Sequence, residues 1–388
     1  MNTAISGHVS PGFEDVAKAF AANISTSEIG AACAVRVRGE LVLNVWGGMA
    51  DADAGKPWTS ETITPVFSVT KGVAAVVVAH LAGNGLIDLD APLARYWPEF
   101  AAHGKGSLSV RRALAHQAGV PFIDGSITLA DLGSPAGMAA RLAAQEPMFE
   151  PGSAHAYHAV TVGWITSELV RRVTGRPIGA WLSENIATPL GLSTFIGLPE
   201  VERSRVARLR SKDPAAMQAL VAAFTEGTAA WKAMTLNGSM SLPPEGLLPN
   251  FNDYAVQSVE LAGANMITDA LSLATLYAAC VGEIGGVRLL SDATISDATR
   301  PISTGPQYGV QGPEPSWAAG FMTPWEIQPM LGPESFGHDG FGGSLGFADP
   351  AYRVGFGYVR NGLVVGGVRD PEVYNVVDAL RAALGRTA

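Results

Sequence analysis

A serine and a lysine three residues apart open the most uniformly apolar stretch of the chain. They are Ser68 and Lys71 in TPVFSVTKGVAAVVVAHLAGNG, residues 64–85. The 388 residues hold only six lysines, and this is the single S-x-x-K. Positions i and i+3 share one helix face, so the amine and the hydroxyl should touch. The first N–H groups of a helix have no internal partner, and that end of the dipole is positive. A serine there has three aids to attack a carbonyl. Its own N–H can form half of an oxyanion hole, the local field favours developing negative charge, and the amine can accept its proton. The amine must be neutral to act, and burial or a nearby cation would lower it from ~10.4 toward neutrality. The competing reading is a simple capping serine beside a lysine that snorkels to the surface.

Other chemistries find less support. Gly342-Gly343-Ser344-Leu345-Gly346 satisfies G-x-S-x-G, but that elbow needs a helix after the serine. LGFADPAYRVGFGYV reads instead as strand, turn and strand. The seven histidines are scattered, without H-x-H or H-E-x-x-H, so no metal is expected. No Gly-rich loop follows a strand and opens a helix, so no nucleotide is expected either. Cys33 and Cys280 lie in apolar surroundings and read as buried free thiols.

The elements that must position Ser68 and Lys71 come from both ends of the chain. Residues 11–24 read as an amphipathic helix opened by Pro11. CAVRVRGELVLNVWGGMAD reads as a hairpin turning at Arg38-Gly39-Glu40. GSLGFADPAYRVGFGYVRN gives two more strands around Asp349-Pro350. The last helix is capped by Asp370, has Pro371 at N1, and carries an apolar stripe of Val373, Val376, Val377, Leu380 and Leu384. The middle is mostly helical. LGSPAGMAARLAAQ is one helix, and TVGWITSELVRRVTG is the clearest, ended by Gly175. A third covers 211–234, and a helix capped by Thr268 returns to the sheet. Residues 1–85 and 266–388 therefore build one α/β unit, and 86–265 form an inserted helical region.

Composition suits a loop-rich enzyme: 47% apolar, 16% charged, 45 Gly and 25 Pro. The net charge of −9 and the lack of a basic stripe argue against a nucleic-acid partner. No uncharged apolar run reaches the ~18 residues of a membrane span. The first residues show neither a basic n-region nor an apolar h-region, so a cytoplasmic location is expected. Oligomeric state is not legible, and a homo-oligomer stays open.

FSVTKG, LIDLDAPLARYWPEF and SVRRALAHQAGVP resemble the active-site helix and following segments of the serine β-lactamase and penicillin-binding-protein superfamily. Its class C-like members, the family VIII carboxylesterases, are the most similar. The resemblance implies an α+β, β-lactamase/transpeptidase-like fold, an antiparallel sheet flanked by helices plus the inserted helical domain. It adds two motifs. EPGSAHAYHAVTVGWITSELV resembles the family's Tyr-x-Asn segment, which makes Tyr157 a candidate base. Beside the Lys71 ammonium its phenol would be partly phenolate. Position 159 is Ala rather than Asn, so the amide that would orient an acylamino substrate is missing. His155 and His158 flank the tyrosine as capping or catalytic groups.

FGHDGFGGSLGFADP resembles the family's Lys-Thr-Gly or His-x-Gly edge strand. It implies that Gly340 lets substrate approach, that the Phe341 N–H faces that of Ser68 as second oxyanion donor, and that His338 lines the pocket. His338 and Asp339 replace a fixed cation and so favour neutral esters. Trp317, Phe321 and Trp325 either wall this pocket or pack a long loop. The implied function is a serine carboxylesterase that hydrolyses short to medium neutral esters through an acyl-enzyme on Ser68, without cofactor. The alternatives are a weak β-lactamase or D-amino-acid peptidase or acyltransferase at the same site, and a catalytically idle binding protein.

Overall fold

Arg38 and Gly39 both have positive φ, 52° and 89°, which matches the twist of tightly paired strands. The hairpin they turn lies at the heart of one antiparallel sheet. The computed structural model describes residues 5–239, 250–309, 312, 314–365 and 369–387. Within these the sheet has nine strands. They are β1 (Ile5–Val9), β2 (Gly30–Val37), β3 (Glu40–Asp51), β4 (Lys56–Pro57), β5 (Ser316–Trp317), β6 (Met322–Thr323), β7 (Phe336–Asp339), β8 (Leu345–Asp349) and β9 (Val354–Arg360). Their spatial order is β1-β3-β2-β9-β8-β7-β6-β5, with β4 paired to β3. The two ends of the chain meet where β2 pairs with β9.

The helices that matter for the site are α1 (Glu14–Thr26), α2 (Val69–Gly83), α3 (Thr161–Thr174), α4 (Ala270–Val281) and α5 (Pro371–Thr387). Alternation along β2 sorts the layers. Ala31, Cys33 and Val35 join a core with Phe20 of α1 and Val376 and Leu380 of α5. Ala32 and Ala34 point into the core shared with α2 and α4. The second face is built for close approach. A Cβ on Gly355 would stand 2.2 Å from Ala274 O, and one on Gly357 2.5 Å from Ala270 O. The glycines of VGFGYV thus let the α4 backbone lie directly on β9. Between 86 and 265 the described residues form helices, with strands of two residues only.

Several expected boundaries move. α1 begins at Glu14, because Pro11 and Gly12 form a turn whose Gly12 N–H donates to Glu14 Oε2 at 2.9 Å. α4 is capped by Asp269 rather than Thr268. Asp269 Oδ1 accepts the Ser272 N–H at 2.7 Å, while Thr268 belongs to the strand Ile267–Thr268, which pairs with Thr64–Pro65 and Thr194–Phe195. The helix expected over 211–234 is two, Pro214–Ala223 and Ala229–Thr235, and Thr228 caps the second. The Gly175 end of α3, the Asp370 cap and the buried stripe of α5 stand as read. Cys33 and Cys280 are buried and unpaired. No helix among the described residues is long and apolar enough to cross a membrane.

Candidate active site

Ser68 occupies the N-cap of α2, and the residue before it is strained. Phe67 has φ 48°, a region bulky side chains rarely enter and which marks functional turns. The surroundings hold it there. Its carbonyl accepts from Thr70 N–H at 2.9 Å and from the Thr70 hydroxyl. Thr70 Oγ1 in turn accepts Met266 N–H at 3.0 Å. The Phe67 ring packs on Phe251 and Phe341, with centroids 4.9 and 5.7 Å apart. Nothing in the residue types announces this strain.

Lys71 is 4% exposed. Its Nζ lies 2.9 Å from Ser68 Oγ, 2.6 Å from Ala159 O and 2.6 Å from Gly263 O. No carboxylate among the described residues forms a salt bridge with it. Burial lowers the amine from 10.5 to about 7, against a partial opposing pull from Asp339. The two carbonyls can only accept, so they take two N–H bonds. In the neutral amine the remaining position is a lone pair, and it faces the Ser68 hydroxyl.

Tyr157 reaches the same atom from the other side, with its Oη 2.9 Å from Ser68 Oγ. The loop that carries it is fixed by histidines. Val120 N–H donates to His158 Nε2 at 3.1 Å, so the ring proton sits on Nδ1 and is donated to Ala156 O at 2.6 Å. His158 N–H donates to His116 Nδ1 at 3.1 Å. Burial pushes His158 down to about 4 and His116 well below its usual value. Both are neutral structural groups. His155 is also buried and pushed down by burial. Trp317 stacks on Tyr157, with centroids 5.6 Å apart and planes 10° from parallel. Burial and Asp339 raise the phenol, and the Ser68 hydrogen bond only partly offsets them. The resting Tyr157 is therefore protonated, which corrects the expected phenolate.

The third wall departs from expectation in two ways, at its strand position and at His338. β7 is not the last strand, since Met322 of β6 pairs with Gly337. A Cβ on Gly340 would meet Val66 O at 2.2 Å, so this glycine makes room for the protein's own backbone, and it also lines the cleft. His338 is 1% exposed, donates from Nδ1 to Asp339 O at 2.7 Å, and does not line the cleft. Asp339 does line it, with Oδ2 accepting from Gln328 Nε2 at 2.7 Å. Ser344 is buried and leads into β8, with no helix after it.

The cleft has a volume of about 520 Å³, and its walls include Ser68, Tyr157, Trp317, Trp325, Asp339 and Phe341. Phe321 turns away to pack on Phe336. Among the described residues neither the Ser68 nor the Phe341 amide donates to a protein acceptor. A larger surface groove, about 600 Å³ along Asp292, Arg300 and Glu334, contains none of these groups.

A serine at a helix start, with an i+3 lysine and a phenol on its hydroxyl, coincides with a family-wide match. The profile of the Beta-lactamase family covers residues 13–381. The chain belongs to the Beta-lactamase family. It has the β-lactamase/transpeptidase fold and is a serine hydrolase of that family. The esterase/beta-lactamase LipL of Mycobacterium tuberculosis (strain ATCC 25618 / H37Rv) is 35% identical over 374 residues, 92% of this chain and 83% of the relative. The crystal structure of a family VIII carboxylesterase superposes with TM-score 0.86 at 37% identity, covering 98% of this chain and 99% of that one. A penicillin-binding-protein homologue from Caulobacter crescentus gives TM-score 0.87 at 36% identity, covering 98% and 100%.

Proposed function

We propose that this Beta-lactamase-family chain is a carboxylic ester hydrolase acting on short to medium neutral esters, with Ser68 as nucleophile. The cleft lies between the unit of residues 1–85 and 266–388 and the helical unit 86–265. The observation that carries the reading is Ser68 Oγ, 2.9 Å from both Lys71 Nζ and Tyr157 Oη.

The neutral Lys71 amine takes the Ser68 proton as Oγ bonds to the ester carbonyl carbon. The Ser68 and Phe341 amides hold the oxyanion. Collapse breaks the bond to the alcohol, which leaves with the Tyr157 proton. Lys71 is now ammonium and Tyr157 phenolate. Water attacks the acyl-enzyme, gives its proton to Tyr157, and Ser68 leaves with the Lys71 proton. Both groups are restored, so no cofactor is called for. This assigns the first proton transfer to Lys71 rather than to Tyr157.

β-Lactam or D-amino-acid peptide turnover at this site is the weaker reading. Position 159 presents a methyl group, and its carbonyl is engaged by Lys71. Two reduced, buried thiols suit a reducing compartment, and we propose the cytoplasm. The test compares p-nitrophenyl butyrate with a chromogenic cephalosporin. The ester should turn over far faster, and Ser68→Ala should lose about 10⁴-fold or more. Full ester turnover by Ser68→Ala would refute the assignment.

A further inference from the structure

A second, smaller chamber opens beside the cleft. Its volume is about 150 Å³. Pro121, Met148, Phe224, Ala230 and Ala233 supply apolar walls, and Tyr157, Met234 and Gln307 line both spaces. Gln307 is tied to the nucleophile's partner, because its Oε1 accepts the Tyr157 N–H at 3.0 Å. The helix Ala229–Thr235 presents Ala230 and Ala233 to the chamber, and these short side chains leave it hollow.

We infer that this chamber receives the alcohol portion of the ester, as a single apolar ring or branched group of about six carbons. The inference rests on the esterase reading above and names the substrate class it leaves open. Size comes first: an apolar cavity near 150 Å³ is about what a benzene ring fills. Direction comes from the chemistry. The leaving oxygen must approach Tyr157 Oη to collect its proton, and the chamber opens at Tyr157. Phe341, which faces the oxyanion and the acyl carbon, lies on the main cleft and not on the chamber. The acyl chain therefore runs along Trp317 and Trp325.

Two ester series decide it. One holds the acyl group as acetate and varies the alcohol from methyl to benzyl to naphthylmethyl. The other holds p-nitrophenol and lengthens the acyl chain from acetate to octanoate. Wild-type kcat/KM should favour benzyl over methyl by about tenfold or more, and naphthylmethyl should fall below benzyl. Ala230→Phe should collapse the benzyl-to-methyl ratio, and Phe224→Ala should raise naphthylmethyl relative to benzyl. Opposite shifts from two variants are not a folding artefact, and melting curves check each. Unmoved alcohol ratios in both variants, or a shift confined to the acyl series, would overturn the inference. A wild type that hydrolyses no ester would refute the esterase reading itself, and the chamber assignment with it.

Discussion

Among the cations buried in the described residues, Lys71 and Arg360 have opposite fates. Lys71 and Arg360 are 4% and 1% exposed. Both therefore bear the cost of leaving water. Arg360 meets it with carboxylates. Asp370 lies 2.8 Å away, Glu28 and Glu372 3.3 Å, and Lys212 closes the network 2.8 Å from Glu372. Burial alone would lower the guanidinium, but these charges raise it above its ordinary value. Lys71 has two carbonyls and a hydroxyl instead, and burial wins. The same desolvation leaves one cation a clamp between β9 and the start of α5, and lowers the other into the range that the proposed reaction needs of a base. Neighbours decide, not depth.

Substitutions should separate the two roles. The largest expected effect is on catalysis: Lys71→Met should lose about 10³- to 10⁴-fold in kcat/KM for p-nitrophenyl butyrate. A loss under tenfold would return the first proton transfer to Tyr157. Arg360→Met should act on stability instead. It strands Glu28, Asp370 and Glu372, and should cost about 3–5 kcal/mol by urea denaturation. Little change there would mean that the network is not a clamp.

Lys71→Met should also stabilise, by up to about 5 kcal/mol, in a pH-dependent way. The folded amine titrates at about 7, and the ordinary value is 10.5. Between these the unfolded chain binds the extra proton, so wild-type stability rises with pH across that window. The penalty is fullest below 7. The variant's advantage should therefore be greatest near pH 6 and shrink toward pH 10.5. A constant advantage would show that Lys71 is not depressed. The smallest effect belongs to Asp339, which raises Lys71. In Asp339→Asn the acid limb of kcat/KM should move below 7. Mono-p-nitrophenyl glutarate, a carboxylate-bearing ester, should gain relative to its neutral analogue. An unmoved acid limb would remove Asp339 from the tuning of the base.

The start of α2 was readable because a polar pair interrupts an otherwise apolar run, and helix periodicity fixes the contact between Ser68 and Lys71. The hairpins and α5 were readable from alternation, turn residues and a cap. What stayed hidden depends on long-range backbone placement. Ala159 and Gly263 hold Lys71 through carbonyls, which every residue type carries. Gly340 lines the cleft, but the close approach of Val66 O that also calls for a glycine there leaves no mark in the sequence. His338 matches a motif, yet burial and a bond to its neighbour's carbonyl turn it away from the cleft. The clamp joins Glu28, Arg360, Asp370 and Glu372, and no spacing links the first to the rest.

The most direct test is the rate at which a p-nitrophenyl phosphonate labels Ser68, followed by mass spectrometry from pH 5 to pH 9. The rate should rise with pH along a single titration near 7, the adduct should map to Ser68, and Lys71→Met should flatten the curve. An adduct on Ser344, or labelling of Ser68 that keeps the same profile without the lysine, would contradict the claim that a buried, unpaired amine activates this serine.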